Sequence, residues 1–146
     1  MHRVIVLLVL CAFVLAGCGG STGDTSVPDP PKSSAFEPGG SAQVDTIIAQ
    51  WQEQVPVVLG QYLIKPDTIE KKVYQSSASL QEIADFYAGQ ITSAKGWVEV
   101  QRMPGQQAGL FMKAYDHGNV SLVIGALDAS KLGGTGTVIY TAKGSK

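Results

Sequence analysis

The segment that decides the fold is residues 79–97, SLQEIADFYAGQITSAKGW. Its apolar residues recur every three or four positions, as on one face of an amphipathic helix; they are Leu80, Ile83, Ala84, Tyr87, Ile91 and Ala94. Residues 79–82 form the S-x-x-E pattern of a capping box, which satisfies free amides at a helix start. Gly96 can take the left-handed conformation that ends a helix, and Trp97 can then fold back on the last part of that helix. We predict a buried helix over residues 80–95.

A second helix is predicted upstream, where glutamines and acids alternate with an apolar face formed by Val44, Ile47, Ile48, Trp51 and Val55. It begins near Ser41 or Asp45 and is expected to stop at Pro56, which lacks an amide hydrogen. Because its polar face has no Lys or Arg, packing on a sheet is favoured over lying in a membrane interface. Residues 57–64 are then predicted to be extended, and residues 69–76 to form a strand near a sheet edge.

After the second helix the apolar pattern changes to period two, which is typical of strands. Turn residues divide it into four predicted strands, over residues 98–103, 110–115, 120–127 and 137–141. One predicted face brings the even positions of the second and third of these strands together: Leu110, Met112 and Ala114 with Val120, Leu122, Ile124 and Ala126. The fold prediction is α+β, an antiparallel β-meander sheet whose apolar side is covered by two helices, in one small domain over residues 41–146.

The segment that precedes this domain differs in composition. Gly, Ser, Thr, Asp and Pro predominate over residues 19–40, and Phe36 is nearly the only large apolar side chain. Such a segment buries too little apolar surface to offset the entropy that ordering costs. We therefore predict that residues 18–40 form a disordered linker.

The first residues have the regions of a secretory signal: Arg3, an apolar run over residues 4–14, and small residues before a cysteine. The sequence Leu-Ala-Gly-Cys at positions 15–18 resembles the lipobox of bacterial lipoproteins. The resemblance implies a signal peptide over residues 1–17, cleavage between Gly17 and Cys18, and acylation of Cys18 by a diacylglyceryl group carrying chains such as palmitate. The alternatives are an ordinary signal peptide and an uncleaved anchor, although the run is short of the roughly 20 residues that span a membrane.

The same resemblance implies a place for the protein. A lipoprotein is extracytoplasmic, and its bilayer contact is made through the acylated Cys18, where two chains give a stable attachment. Gly19 stands where an inner-membrane retention signal would have aspartate. We therefore expect the outer membrane in a bacterium that has one, and otherwise the cell membrane.

Charge and cysteine content exclude several classes of function. The chain has 11 Lys and Arg against 12 Asp and Glu, and loss of Arg3 with the signal leaves 10 against 12, a net charge of −2. Without a basic stripe, nucleic-acid binding is not expected. Cys11 leaves with the signal and Cys18 carries lipid, so no thiol remains for a disulfide, a metal or catalysis.

The one candidate for catalysis is the pair Asp116 and His117. An Asp-His neighbourhood can form part of a nucleophilic triad, but these residues precede Gly118 and Asn119, and this composition is typical of a tight turn. The Gly-rich run over residues 132–136 lacks the Gly-Lys-Ser/Thr ending of a phosphate loop. We expect no enzymatic activity, no cofactor and no metal.

Aromatic residues give one further hint. Phe86 and Tyr115 lie off the predicted apolar faces and suggest an exposed patch for a partner. The pattern F-Y at 86–87, Ile91 and G-W at 96–97 is similar to that of small extracytoplasmic bacterial lipoprotein domains with a helix followed by a meander. That resemblance implies a fold and assigns no functional residue.

These observations favour a membrane-anchored lipoprotein whose domain is a non-enzymatic binding or interaction module for an envelope protein or a small apolar ligand. The predicted binding surface is the sheet with the loops at residues 106–109 and 128–136. The alternatives are a structural component of envelope assembly and, less favoured, an envelope hydrolase that uses Asp116 and His117.

Overall fold

The computed structural model describes residues 23–103 and 108–146. The predicted signal peptide, with its cleavage site at Gly17 and lipidation site at Cys18, lies outside the described residues. The described chain contains two α-helices, α1 (Ala42–Gln61) and α2 (Leu80–Gln90). It also contains six strands: β1 (Ser33–Ala35), β2 (Glu70–Ser76), β3 (Val98–Val100), β4 (Leu110–His117), β5 (Val120–Asp128) and β6 (Thr137–Ser145). The predicted α+β class is confirmed.

The six strands form one antiparallel sheet in the order β1-β2-β6-β5-β4-β3. The four downstream strands form the predicted meander, and β2 lies next to the edge strand β1, as expected. The longest ladders join β5 to β4 and to β6, so these strands form the centre of the sheet.

The two helices lie on opposite faces of this sheet, whereas the sequence prediction placed both on one apolar side. On the α1 face the buried side chains include Val55, Leu59, Met112, Val123 and Tyr140. On the α2 face they include Ile83, Tyr87, Phe111, Leu122 and Ile139. Strands β5 and β6 are apolar on both faces, and a sheet of this kind needs a layer of other elements on each face to exclude water.

The predicted facing of β4 and β5 was wrong by one position. The β4–β5 hairpin has a two-residue loop, Gly118-Asn119, that places His117 opposite Val120. Even positions of β4 therefore lie opposite odd positions of β5, and Met112 pairs with Gly125. The absence of a side chain there is required, because a Cβ on Gly125 would lie 2.9 Å from the Trp51 ring of α1.

Helix α1 continues through Pro56, so the predicted stop at this residue and the extended segment at 57–64 were wrong. Proline removes one backbone hydrogen bond from a helix interior. The last turns are nevertheless held to the sheet by Val55 and Leu59, which are both fully buried. Tertiary burial thus outweighs the local penalty.

The end of α1 is a Schellman motif built without glycine. The amide of Leu63 donates to the Gly60 carbonyl at 3.1 Å, and that of Ile64 donates to the Leu59 carbonyl at 3.3 Å. Leu63 takes the left-handed position with φ 68°, where glycine is usual. Its side chain is 78% exposed, while Ile64 is buried. The motif therefore places an apolar side chain in solvent at a conformational cost.

We predict that Leu63→Gly raises the free energy of unfolding by about 0.5–1 kcal/mol, because it relieves this conformation and removes no buried contact. Urea unfolding of the domain measures it. Gly60→Ala is the comparison, since Gly60 is helical and its Cβ would meet open space, and a similar small gain is expected there from helix propensity. Destabilisation by Leu63→Gly would show that the exposed leucine packs on the domain.

Helix α2 begins as predicted. The Glu82 amide donates to the Ser79 hydroxyl at 3.2 Å, and the Ser79 amide donates to the Glu82 carboxylate at 2.7 Å. The helix ends at Gln90, earlier than predicted, and a 3₁₀ turn over Ser93–Lys95 follows. Gly96 is left-handed with φ 87°, and the buried Trp97 packs in the same cluster as Ile91.

Residues 23–40, which we predicted as part of a disordered linker, pack on the domain. Val27 lies against the α2-face core, and the Tyr87 hydroxyl donates to the Pro28 carbonyl at 3.4 Å. The Tyr74 hydroxyl donates to Asp29, and β1 then pairs with β2. Prolines make extended backbone cheap to order and are tolerated beside an edge strand. Low apolar content therefore did not prevent this segment from covering the sheet.

Candidate functional site

The strands give the domain two ends that differ in character. The loop end contains the N-terminus of α1 at Ser41 and the loop between β5 and β6. The hairpin end contains the Gly118-Asn119 turn, the end of β6 and the C-terminus of α1. The backbone amide of Lys65, just after α1, donates to the Ser145 carbonyl at 2.9 Å, which joins these elements at the hairpin end.

A cavity of about 170 Å³ lies at the loop end. Its apolar wall comes from the segment before α1, the first turn of α1, the β5–β6 loop and β6: Phe36, Val44, Ala129 and Val138. The other lining residues are polar or glycine: Glu37, Gly40, Ser41, Gln75, Gly133, Gly134 and Thr135. We call this the loop-end cavity.

The loop beside the cavity has a defined structure. Asp128 accepts from the Ser130 amide at 3.1 Å and starts a 3₁₀ turn, and the Ala129 amide donates to the Gly136 carbonyl at 2.9 Å. Gly136 has φ 68°, and a Cβ there would collide with the Ser76 carbonyl oxygen. The hydroxyl of Ser41 donates to the Leu132 carbonyl. The predicted loop at 128–136 is therefore fixed to the N-terminus of α1.

A polar groove continues from the loop-end cavity. It has a volume of about 440 Å³ and shares Gln75 and Thr135 with the cavity. Its other lining residues are Lys32, Ser34, Ser76, Ser77 and Gly136. The loop end thus presents an apolar depression with a polar border.

The second loop predicted as a binding surface, residues 106–109, is described only at positions 108 and 109. The Gly109 carbonyl accepts from the Asp128 amide at 2.8 Å. The described part of this loop therefore lies beside the β5–β6 loop at the loop end.

The predicted aromatic patch of Phe86 and Tyr115 is not exposed. Phe86 is half-buried and packs edge-on against Tyr87, with ring centroids 5.1 Å apart. Tyr115 is buried, and this burial, with a contribution from Glu99, raises the pKa of Tyr115 to about 12. Both tyrosines line a cavity of about 200 Å³ between α2 and β4. Its other lining residues include the buried Phe111 and Ile124 and the exposed Gln81, Asp85 and Ala88.

The Asp116 and His117 side chains point to opposite faces of β4, so they do not form a catalytic pair. Two nitrogens of Arg102 donate to the Asp116 carboxylate at 2.7 and 2.5 Å, and the Ser121 hydroxyl donates to it at 2.6 Å. The Arg102 guanidinium lies 4.0 Å above the centre of the Tyr62 ring. This cluster ties the C-terminus of α1 to the central strands at the hairpin end.

His117 is enclosed by other groups. Its ring lies 5.3 Å from that of Trp97, and a Cβ on either Gly23 or Gly96 would lie 2.6 Å from its Nε2. Within the described residues no serine hydroxyl is hydrogen-bonded to His117, since Ser121 donates to Asp116 instead. The geometry gives this histidine a packing role.

Sequence reasoning missed Arg102 and Tyr62. Arg102 stands inside a stretch predicted as strand, and its partner Asp116 is 14 positions away. The one usable signal was Ser121, which lies directly opposite Asp116 once the two-residue turn is assigned.

The electrostatics of the Asp116 cluster follow from its partners. Burial alone would raise the pKa of Asp116, but hydrogen bonds from Arg102 and Ser121 and the charge of Arg102 outweigh it and hold this pKa below its usual range. The resulting stabilisation is present above the unfolded pKa, near 3.9, and is lost as the pH falls through the lower folded value.

We predict that Arg102→Ala lowers the free energy of unfolding by about 2–4 kcal/mol at pH 7, because it leaves a half-buried carboxylate without its cation. The deficit should shrink as the pH falls below about 4, because Asp116 without its cation is protonated there in the variant, so the variant no longer bears the cost of an unpaired carboxylate. Urea unfolding at pH 7 and pH 3.5 measures both effects.

Lys72→Ala is the control for this prediction, since Lys72 pairs with Asp29 at 3.6 Å and both side chains are largely exposed. Its effect should stay below about 1 kcal/mol. An Arg102→Ala deficit that is equal at both pH values would mean that packing on Tyr62, rather than the ion pair, supplies the stability.

Two further properties concern the described residues. Residues 23–103 and 108–146 contain no group of three or more His, Cys, Asp or Glu side chains placed to hold a metal ion. Neither of the described helices is long and apolar enough to cross a membrane.

Comparison with known proteins gives no family for this chain. It matches no family model, and no similar curated protein or solved structure was found.

Proposed function

We propose that the protein is a lipoprotein anchored at the outside of the membrane by Cys18, and that its domain binds an envelope protein through the loop end. The anchor is supported by the sequence at positions 15–18. The binding role is supported by one observation above all, the apolar loop-end cavity with its adjoining polar groove.

The arrangement of this surface supports a role as a protein interface. Interfaces between proteins combine an apolar centre with a polar rim. Phe36, Val44 and Val138 supply the centre, and Gln75 and Thr135 supply the border. The β5–β6 loop and the N-terminus of α1 are joined by the Ser41 hydrogen bond, which supports a preformed surface.

The small volume of the apolar loop-end cavity supports a protein partner over a free apolar ligand, because the larger adjoining groove is lined mainly by polar side chains. Sites for drug-sized molecules commonly enclose about 300–1,000 Å³, and the loop-end cavity has about 170 Å³. One apolar side chain of a partner fits this space, with hydrogen bonds to the rim around it.

We predict that the protein expressed in a bacterium begins at Cys18 and carries acyl mass. Intact-mass measurement and detergent partitioning test this, with Cys18→Ala as the matched variant. The wild type should enter the detergent phase, whereas Cys18→Ala should remain unmodified and stay in the aqueous phase. A wild-type chain without acyl mass would contradict the anchor.

We predict that filling the loop-end cavity abolishes binding. A photo-crosslinking amino acid at Thr135, which borders both the cavity and the groove, should form one reproducible adduct with an envelope protein in intact cells. Gly40→Trp should lower the yield of this adduct at least fivefold, because Gly40 lines the cavity and has open space for a side chain.

Gly89→Trp is the control, since Gly89 lies on α2 and also has open space for a Cβ. It should leave the adduct unchanged. Equal adduct yields from Gly40→Trp and wild type would contradict binding in the cavity.

A further inference from the structure

We propose that the hairpin end faces the lipid bilayer and touches it through Leu63, Tyr62 and Val98, so that the loop end points away from the membrane. This inference rests on the lipid anchor proposed above. It is carried by the point at which the chain reaches the domain, the dimensions of the domain, and the distribution of exposed apolar side chains.

The chain reaches the domain at the hairpin end. Gly23 is the first described residue, and it packs against His117, the last residue of β4. From here the chain crosses the α2 face, where Val27 packs on the core.

The distance from the anchor is short. Five residue steps separate Cys18 from Gly23, and they span at most about 18 Å when fully extended. This replaces the long linker that the composition suggested, because residues 23–40 are packed on the domain. An acylated Cys18 therefore keeps the hairpin end within about 18 Å of the bilayer.

The length of the sheet excludes the inverted orientation. Strand β5 has nine residues and runs from the hairpin end to the loop end, which corresponds to about 26 Å. If the loop end rested on the membrane, Gly23 would stand farther from the bilayer than its connection to Cys18 can reach. Only upright or sideways orientations remain.

The positions of the exposed apolar side chains favour the upright orientation over the sideways one. Among the described residues, the exposed large apolar side chains are Val57 (65%), Tyr62 (39%), Leu63 (78%) and Val98 (61%). They belong to the last turns of α1, the two residues after it, and the first residue of β3, which pairs with Asp116 beside the hairpin. Exposed positions at the loop end are instead mostly polar or small, such as Glu37, Ser77, Ser130 and Thr135.

The chemistry of this end suits a bilayer interface. Tyrosine is favoured at the headgroup level, where its ring is partly apolar and its hydroxyl remains wet. Leu63, just after α1, has a left-handed backbone conformation that is less strained for glycine. The fold therefore bears a conformational cost to place a leucine side chain in this exposed position. The chain just after Leu63 has exposed charges of both signs, Lys65 and Asp67, so the proposed contact is apolar and does not depend on anionic lipid.

The test uses the acylated protein in vesicles of phosphatidylcholine that contain nitroxide-labelled lipid. Acylation consumes the Cys18 thiol, so a single introduced cysteine can be labelled with an environment-sensitive fluorophore. Leu63→Cys and Val98→Cys report on the hairpin end, and Ser130→Cys and Thr135→Cys report on the loop end. All four positions are exposed, so the label does not disturb the core.

We expect the nitroxide lipid to quench the labels at positions 63 and 98 at least threefold more than those at positions 130 and 135. The same ratio is expected in vesicles with and without phosphatidylglycerol. Vesicle-bound protein with equal quenching at both ends, or stronger quenching at the loop end, would overturn the orientation while leaving the anchor intact. Protein without acyl mass that fails to bind vesicles would overturn the anchor, and the orientation with it.

Discussion

The structure depends on the burial of β5 and β6 on both of their faces. Positions 121–127 and 137–142 are buried without interruption, so this sheet has no face that water can cover. Each face requires its own layer. Helix α1 supplies one layer, and α2 together with residues 23–31 supplies the other.

The same constraint explains features that appear unfavourable in isolation. Helix α1 keeps Pro56 in its interior because Val55 and Leu59 must reach the sheet. Gly125 lies in the interior of β5, where glycine is unfavourable, because Trp51 occupies the space in which a side chain would lie. In both cases the free energy of covering the central strands exceeds the local cost in helix or strand propensity.

The two ends of the sheet are free of this demand, and their chemistry separates accordingly. The loop end is closed by hydrogen bonds around a small apolar cavity, while the hairpin end combines the Arg102–Asp116 ion pair with exposed apolar side chains. A domain with one end directed to a bilayer and the other to a protein would join a membrane to an envelope component. Because residues 23–40 pack on the domain, the distance between the bilayer and the hairpin end would be short.

The sequence by itself determined the elements whose signals are local. The capping box of Ser79 and Glu82, the left-handed Gly96, the turn beside His117 and the strand pattern after Trp97 each depend on neighbouring residues, and all were recognised. The proposed anchor at Cys18 likewise rests on four adjacent residues, and it stays a prediction. The loops at 106–109 and 128–136 were predicted as a surface, but the backbone hydrogen bond between Asp128 and Gly109 and that of Ser41 to Leu132 were not foreseen.

Only the tertiary structure decided which face each helix covers, where α1 ends, whether residues 23–40 are ordered, and which group holds Asp116. Each of these is settled by contacts between residues far apart in the chain, such as Val27 with the α2-face core and Arg102 with Asp116. Composition and periodicity report how much apolar surface a segment carries, but not which surface is available to bury it. That surface exists only after the central strands have paired.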